Sequence, residues 1–176
     1  MFDIKRYKKV LTPTKFCTNC VYPETSAVTL QFDNKGVCSG CKVSKKKEKI
    51  DWQKREKYFK RLIESYKSKK NYDCIIPVSG GKDSYYQTHQ IVKEFKLKPL
   101  LVTYDGNNYL PEGIYNRDKM REHFDADHIL WAPSVKVLKK INKLAFIKMG
   151  DMNWQNHCGI MTAPIILAEK FKIPLI

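Results

Sequence analysis

An apolar segment that runs into a glycine turn and then into a helix constrains this chain more than any other feature. Tyr72 to Val78 (YDCIIPV) reads as a strand and Ser79 to Ser84 (SGGKDS) as the turn. Tyr85, His89, Val92 and Lys96 then recur along one side of a helix. Such a unit aims backbone N–H groups and a helix N-terminus at phosphate. Gly80 and Gly81 permit close backbone approach and left-handed φ values. Asp83 or Ser84 can cap the helix, and Lys82 adds a point charge. A Walker A loop ending on Gly81-Lys82 would need glycine at position 76 and Ser or Thr at 83, where the chain has Ile76 and Asp83. An ordinary βα turn is the bland alternative.

Six cysteines fall at 17, 20, 38, 41, 74 and 158. The first four form two CxxC pairs separated by 17 residues, the spacing of a four-cysteine zinc ribbon. Each CxxC turn directs two thiolates at one point, and a tetrahedral Zn²⁺ needs two such turns. Between them, Val28 to Phe32 alternates like a strand, and Asp33-Asn34-Lys35-Gly36 offers a turn that folds the chain back. Disulfides are the competing reading. They are disfavoured because Met1 to Arg6 carries charge where a signal peptide needs an apolar core, which also predicts a cytoplasmic protein. A closed four-thiolate site has a structural role, since a segment of about 25 residues buries too little core to fold alone. Cys74, in the apolar strand, reads as a buried thiol; Cys158, after His157, reads as packing or as a reactive group.

With 33 Lys+Arg against 18 Asp+Glu the net charge is +15, but it is unevenly placed. Lys42 to Lys70 holds 13 basic and 4 acidic side chains, a net of +9. Within it Phe59, Leu62, Ile63 and Tyr66 have the spacing of a helix with one buried stripe. This predicts a connecting helix with a solvated lysine face, or else a surface for a polyanion. Its lysines are expected to lack interleaved exposed aromatics, which argues against a single-strand binding platform. The 43% hydrophobic and 29% charged content suits a folded protein, and no apolar run nears the roughly 18 residues of a membrane span.

After the turn, strands and helices alternate. Pro99 to Tyr104 and Asp127 to Trp131 read as strands, and a helix follows Pro111. Ser134 caps a run that Gly150 stops, Thr162 to Lys172 is helical, and Ile173 to Ile176 begins a fourth strand. That order predicts an α/β, parallel, doubly wound sheet with ligand at the carboxyl ends of its strands. The fourth strand is expected beside the first. The expected division is a zinc ribbon over 1–44, a basic linker helix over 45–70 and an α/β domain over 71–176.

SGGKDS after a hydrophobic strand resembles the signature of the PP-loop ATP pyrophosphatases, which share an adenine nucleotide alpha hydrolase-like fold. Three further peptides narrow the likeness: CTNCVYPETSAVTLQFDNKGVCSGC, LLVTYDGNNYLPEGIYNRDKMREHFDADHI and MGDMNWQNHCGIMTAPIILAEKFKIPLI. With SGGKDS they are similar to the N-acetyl sugar amidotransferases of surface-polysaccharide and flagellin-glycan biosynthesis. The resemblance implies that ATP activates an N-acetyl amide oxygen and that ammonia displaces AMP, leaving an acetamidino group. It implies ATP, Mg²⁺ and Zn²⁺ as cofactors, and partners resembling the glutaminase and cyclase subunits of the histidine pathway. By the same likeness Ser79, Gly80, Gly81, Lys82 and Ser84 hold pyrophosphate and Asp83 places Mg²⁺. Asp105, at the end of the second strand, would then contact substrate or nucleotide and His157 would serve the sugar site, the two joining Lys82 and Asp83 as the expected catalytic residues. Asp151, Asn153, Trp154 and His157 are expected to cluster in a loop before a helix. Members of the family are about twice this length, so the likeness implies a truncated or split enzyme with an incomplete α/β domain. The family differs at Gln155 and Cys158, where it carries histidine and an apolar residue. The rival readings are a tRNA-modifying thiolase, which would add catalytic cysteines, and a non-catalytic zinc-ribbon fragment. Nucleic acid ranks second as a partner.

Overall fold

The computed structural model describes residues 14–25, 30–68, 70–106 and 109–176. Met1 to Arg6, Val28 and Thr29 of the expected ribbon strand, and Asn107 and Asn108 lie outside the described residues. The chain divides into two compact units, Met1–Glu56 and Lys57–Ile176.

Among the described residues of the first unit, regular pairing is reduced to two single antiparallel bridges, Phe16 with Pro23 and Phe32 with Cys38. The expected strand thus appears, among its described residues, as the bridge at Phe32. The turn after it forms as expected. Asp33 Oδ1 accepts from the N–H groups of Lys35 and Val37, both at 2.9 Å, and Gly36 takes φ +75°. Those N–H bonds, Val37 first, with Lys42 beside it, hold the Asp33 carboxyl below its usual range. Helix α1 (Ser39–Lys47) starts inside the second CxxC pair.

The basic stretch is not one helix. α1 ends at Lys47, and α2 (Trp52–Tyr66) starts anew where Asp51 Oδ1 accepts from Lys54 N–H at 2.9 Å, an N-cap bond. Ile63 is buried and Phe59 meets Phe95 edge to face at 5.0 Å, so the stripe faces inward at those positions. Trp52, Tyr58 and Tyr66 are 58%, 65% and 47% exposed among the lysines and arginines of α2. The expectation that this stretch lacks exposed aromatics is therefore overturned. The helix carries more aromatics than its inner face can hold.

The second unit is mixed α/β. Strands β1 (Cys74–Pro77), β2 (Pro99–Tyr104) and β3 (Asp127–Trp131) form a parallel sheet in the order β1-β2-β3. Cys74 pairs with Pro99 and Leu100 with Asp127. Residues 173–176, expected to begin a fourth strand, form none among the described residues: the sheet has three strands, and Ile75 N–H on the outer side of β1 donates to Leu175 C=O at 2.9 Å. Helix α3 (Lys82–His89), continued by a π-helical turn (Gln90–Glu94), connects β1 to β2; α4 (Pro111–Phe124) connects β2 to β3. Helices α5 (Val135–Met149) and α6 (Trp154–Phe171) follow.

Alternation along the strands fills both faces. Cys74, Ile76, Val78 and Leu101 pack with Met120 and Phe124 of α4, whereas Ile75, Leu100 and Val102 pack with Ala168 of α6 and with Ile173. Cys74 is buried as expected, and burial, then the charge of Asp73, pushes its thiol up to about 12. At the amino ends of the strands the buried Asp73 carboxylate accepts from the N–H groups of Ser68 and Lys98. Both α5 and α6 leave large apolar side chains exposed, Phe146, Ile147, Met161 and Ile165 among them. No helix among the described residues is long and apolar enough to cross a membrane.

Candidate functional site

Two constellations stand out, one in each unit. In the first, the sulfurs of Cys17, Cys20, Cys38 and Cys41 all lie within 4.8 Å of one another. Cys17 to Cys41 is 3.9 Å and Cys20 to Cys38 is 3.8 Å. Four ligands at a Zn–S length of ~2.3 Å in a tetrahedron stand about 3.8 Å apart, so this spacing fits a shared ion; a disulfide is far shorter. The local folding follows from the same need. Cys17 N–H donates to Tyr22 C=O, and Val21, at φ +53°, returns its N–H to Cys17 C=O, closing the first knuckle.

N–H groups also point at the sulfurs: Cys38 N–H reaches Cys17 Sγ at 3.2 Å, and Asn19 Nδ2 reaches Cys41 Sγ at 3.2 Å. Burial opposes the Cys17 thiolate, but the N–H groups of Cys38, Cys20 and Asn19 outweigh it and bring Cys17 down to about 6. Cys20 goes the other way, to about 12: Tyr22 N–H favours its thiolate, but Cys41, burial and the remaining sulfurs prevail. Four thiolates could coexist here only with a cation, and a metal such as zinc would supply that charge. With all four positions taken by sulfur, such a metal would be structural.

The second constellation sits at the carboxyl end of β1. Gly80 takes φ +80°, and a Cβ there would come within 3.0 Å of the Arg117 backbone N, so only glycine lets the turn rest against α4. Gly81 is the N-cap of α3, and no side chain caps the helix. The expected caps are thus not used. Ser84 instead turns inward, donating to Gly81 C=O at 3.0 Å and accepting from Ser79 N–H at 3.4 Å. Ser79 Oγ in turn accepts from Gly81 N–H at 3.4 Å. Lys82 and Asp83 project into solvent, each side chain 93% exposed, and form an ion pair with each other at 3.3 Å. The turn is therefore braced by its two serines, while its lysine and carboxylate face solvent beside an uncapped helix start. That arrangement can receive an anion.

Beneath it lies a contact chain that sequence patterns do not reveal. Thr103 Oγ1 donates to Val78 C=O at 2.6 Å and lies 2.9 Å from His128 Nε2. With the hydroxyl proton committed to Val78, Thr103 accepts from the Nε2–H of neutral His128. Burial first, then the charges of Arg117 and Arg121, holds His128 down to about 4. The end of β1, where the turn begins, is thereby tied to β3 through β2.

The structure separates the remaining expected site residues. Asp105 donates its N–H to Trp131 C=O and lines a cavity of about 470 Å³ with Gly106, Tyr109, Arg117 and Pro133. Ser79 lines a different cavity, of about 290 Å³, together with Thr103, Tyr109, Ile160 and Pro164. His157 is absent from both linings; its ring lies 3.4 Å from Asn153 Nδ2 in the same helical turn. The expected loop before the last helix is also revised. Trp154 and His157 belong to the first turns of α6, which begins eight residues before Thr162, and Pro164 is accommodated inside it. Gln155 is buried and accepts from Tyr104 O–H at 3.0 Å. The Tyr104 ring in turn lies against Gly159, where a Cβ would come within 2.2 Å of it.

The chain matches no protein-family profile. Over 112 residues it is 28% identical to an uncharacterized protein of Methanocaldococcus jannaschii, a match that covers 63% of this chain and 40% of that relative. The chain thus spans less than half the length of the curated relative it matches.

Proposed function

We propose that this chain belongs to an ATP-dependent, AMP-forming amidotransferase of the PP-loop kind, acting on an N-acetyl sugar. The observation that carries the reading is the braced SGGKDS turn at the carboxyl end of a parallel strand. Its helix start is uncapped, and Lys82 and Asp83 project into solvent. In this reading the turn backbone and Lys82 hold the β and γ phosphates, and Asp83 holds Mg²⁺, which neutralises charge building on the pyrophosphate. The amide oxygen attacks the α phosphorus and pyrophosphate leaves. Ammonia then adds to the activated carbon, and AMP departs with the former amide oxygen. The four-cysteine cluster is assigned a structural zinc. The ammonia source would be a glutaminase with a cyclase-like partner.

Supplying ammonium chloride directly bypasses those partners. The test incubates the zinc-loaded chain, within the full-length enzyme that the resemblance implies, with ATP, Mg²⁺, ammonium and N-acetyl sugar nucleotides labelled with ¹⁸O in the amide. The expected result is pyrophosphate release with ¹⁸O in AMP, abolished by Asp83→Ala. Release that survives Asp83→Ala, or AMP without label, refutes it.

A second reading, an RNA-modifying enzyme, is favoured by one observation: Trp52, Tyr58 and Tyr66 are exposed among the cations of α2. Micromolar tRNA binding with a steep salt dependence, lost in a Trp52→Ala/Tyr58→Ala variant, would support it over the sugar reading.

A further inference from the structure

Arg117, in the middle of α4, is 7% exposed, yet its Nε and Nη1 are buried without a hydrogen-bond partner. No carboxylate among the described residues forms an ion pair with it. Its guanidinium lies 5.3 Å from the Tyr109 ring centre, a contact that favours a cation but cancels none of its charge. Arginine cannot shed its proton to escape burial, so an unpaired guanidinium in such a place is one half of an interaction. The same residue lines the cavity of about 470 Å³ at the carboxyl ends of β2 and β3, whose other walls include Ile114, Ala132 and Pro133. Its backbone, meanwhile, is the surface on which Gly80 rests.

We propose that this cavity is an oxyanion site, distinct from the SGGKDS turn, in which the Arg117 fork receives a phosphate or carboxylate group of a small-molecule ligand. The planar fork matches two oxygens of either group, and Ile114, Val135 and Leu138 give part of the lining an apolar character that strengthens the pairing. The site shares a residue with the turn but not a lining: the turn meets the Arg117 backbone, the ligand its side chain. The inference does not depend on the amidotransferase reading.

The chain has five arginines, so the Nε–Hε region of a ¹⁵N spectrum of the zinc-loaded protein is sparse. Arg117→Lys, which keeps the charge and removes the fork, identifies the signal. Inorganic phosphate and acetate are titrated separately against sodium chloride at matched ionic strength. The expected result is a saturable shift of the Arg117 signal with at least one of them, and the responding ion tells phosphate from carboxylate. The response persists in Lys82→Ala, which removes the cation of the turn. Arg117→Met, an apolar stand-in of similar length, folds without loss of Tm and loses any anion-dependent rise in Tm. An Arg117 signal that answers neither ion overturns the proposal, as does a response lost in Lys82→Ala. So does a signal that shifts with Asp105→Asn alone, because Asp105 would then be an internal partner.

Discussion

The two units bury themselves by different means. In the first, the buried apolar cluster consists of Cys17, Cys38 and Cys41, with Leu30, Phe32 and Val37 only partly covered around it. In the second, Ile75, Ile76, Leu100, Leu101, Val102 and Met120 are almost fully enclosed between two helical layers. Roughly 25 cal/mol per Å² of apolar burial sustains the sheet unit. Among its described residues the cysteine unit has little such area, so its order would come from sulfur, amide and a bound metal. A site built on ligands is all-or-none in its ion, whereas one built on packing yields by increments.

Four measurements test that contrast. The largest effect is expected from metal removal: stripping zinc with a strong chelator withdraws roughly 10 kcal/mol of coordination energy. Amide exchange should then collapse over residues 14–47 and stay slow over β1 and β2. Protection retained in both regions would show that the cysteine unit has a core of its own. Equimolar zinc by elemental analysis is the accompanying expectation.

Next comes Gly159→Ala, which forces a methyl group into the Tyr104 ring and should lower the stability of the sheet unit by about 1–3 kcal/mol. Zinc content should not change. A neutral effect in urea unfolding would mean that the ring moves aside freely.

His128 predicts a smaller, pH-dependent loss. Its folded pKa of about 4 lies below the ordinary 6.5, so the unfolded chain binds the extra proton. Stability of the sheet unit therefore falls as pH drops from 6.5 to 4, by on the order of 2 kcal/mol, and levels off below. His128→Gln should flatten this slope. Zinc release by acid in the other unit would persist in that variant, which separates the two acid responses.

The smallest stability effect belongs to Asp83→Ala. Its side chain is almost wholly exposed, so unfolding should change by less than about 0.5 kcal/mol while pyrophosphate release disappears. A large stability loss would mean that the turn is part of the sheet unit's framework rather than a binding device on it.

What could be read in advance follows the range of the forces involved. β2 and β3 form over the segments their apolar runs indicate, and the four ligand cysteines meet as their spacing requires, because both signals are local. The place of the last residues beside β1 was legible too, since Leu175 C=O meets Ile75 N–H there, but the expected fourth strand does not form. Arg117, Thr103 and His128 could not be singled out: their significance rests on contacts between elements distant in sequence. The early start of α6 escaped notice for another reason. Gln155 and Asn156 are polar yet buried, and Pro164 ordinarily argues for a break, so local propensity pointed away from a helix that tertiary packing imposes. The serine braces of the turn were likewise hidden, since a hydroxyl can cap a helix or fold back, and only geometry decides.

Asp73 has a practical consequence for anyone cutting this chain. Its carboxylate fastens the N–H of Ser68 to the N–H of Lys98 across the base of the sheet. A fragment that starts at residue 71, where the apolar strand pattern begins, would leave that buried charge with half its donors. It would also discard Ile63 and Phe59 from the apolar cover. The cloning boundary for the sheet unit therefore belongs before Asp51, so that α2 keeps its cap and its whole length.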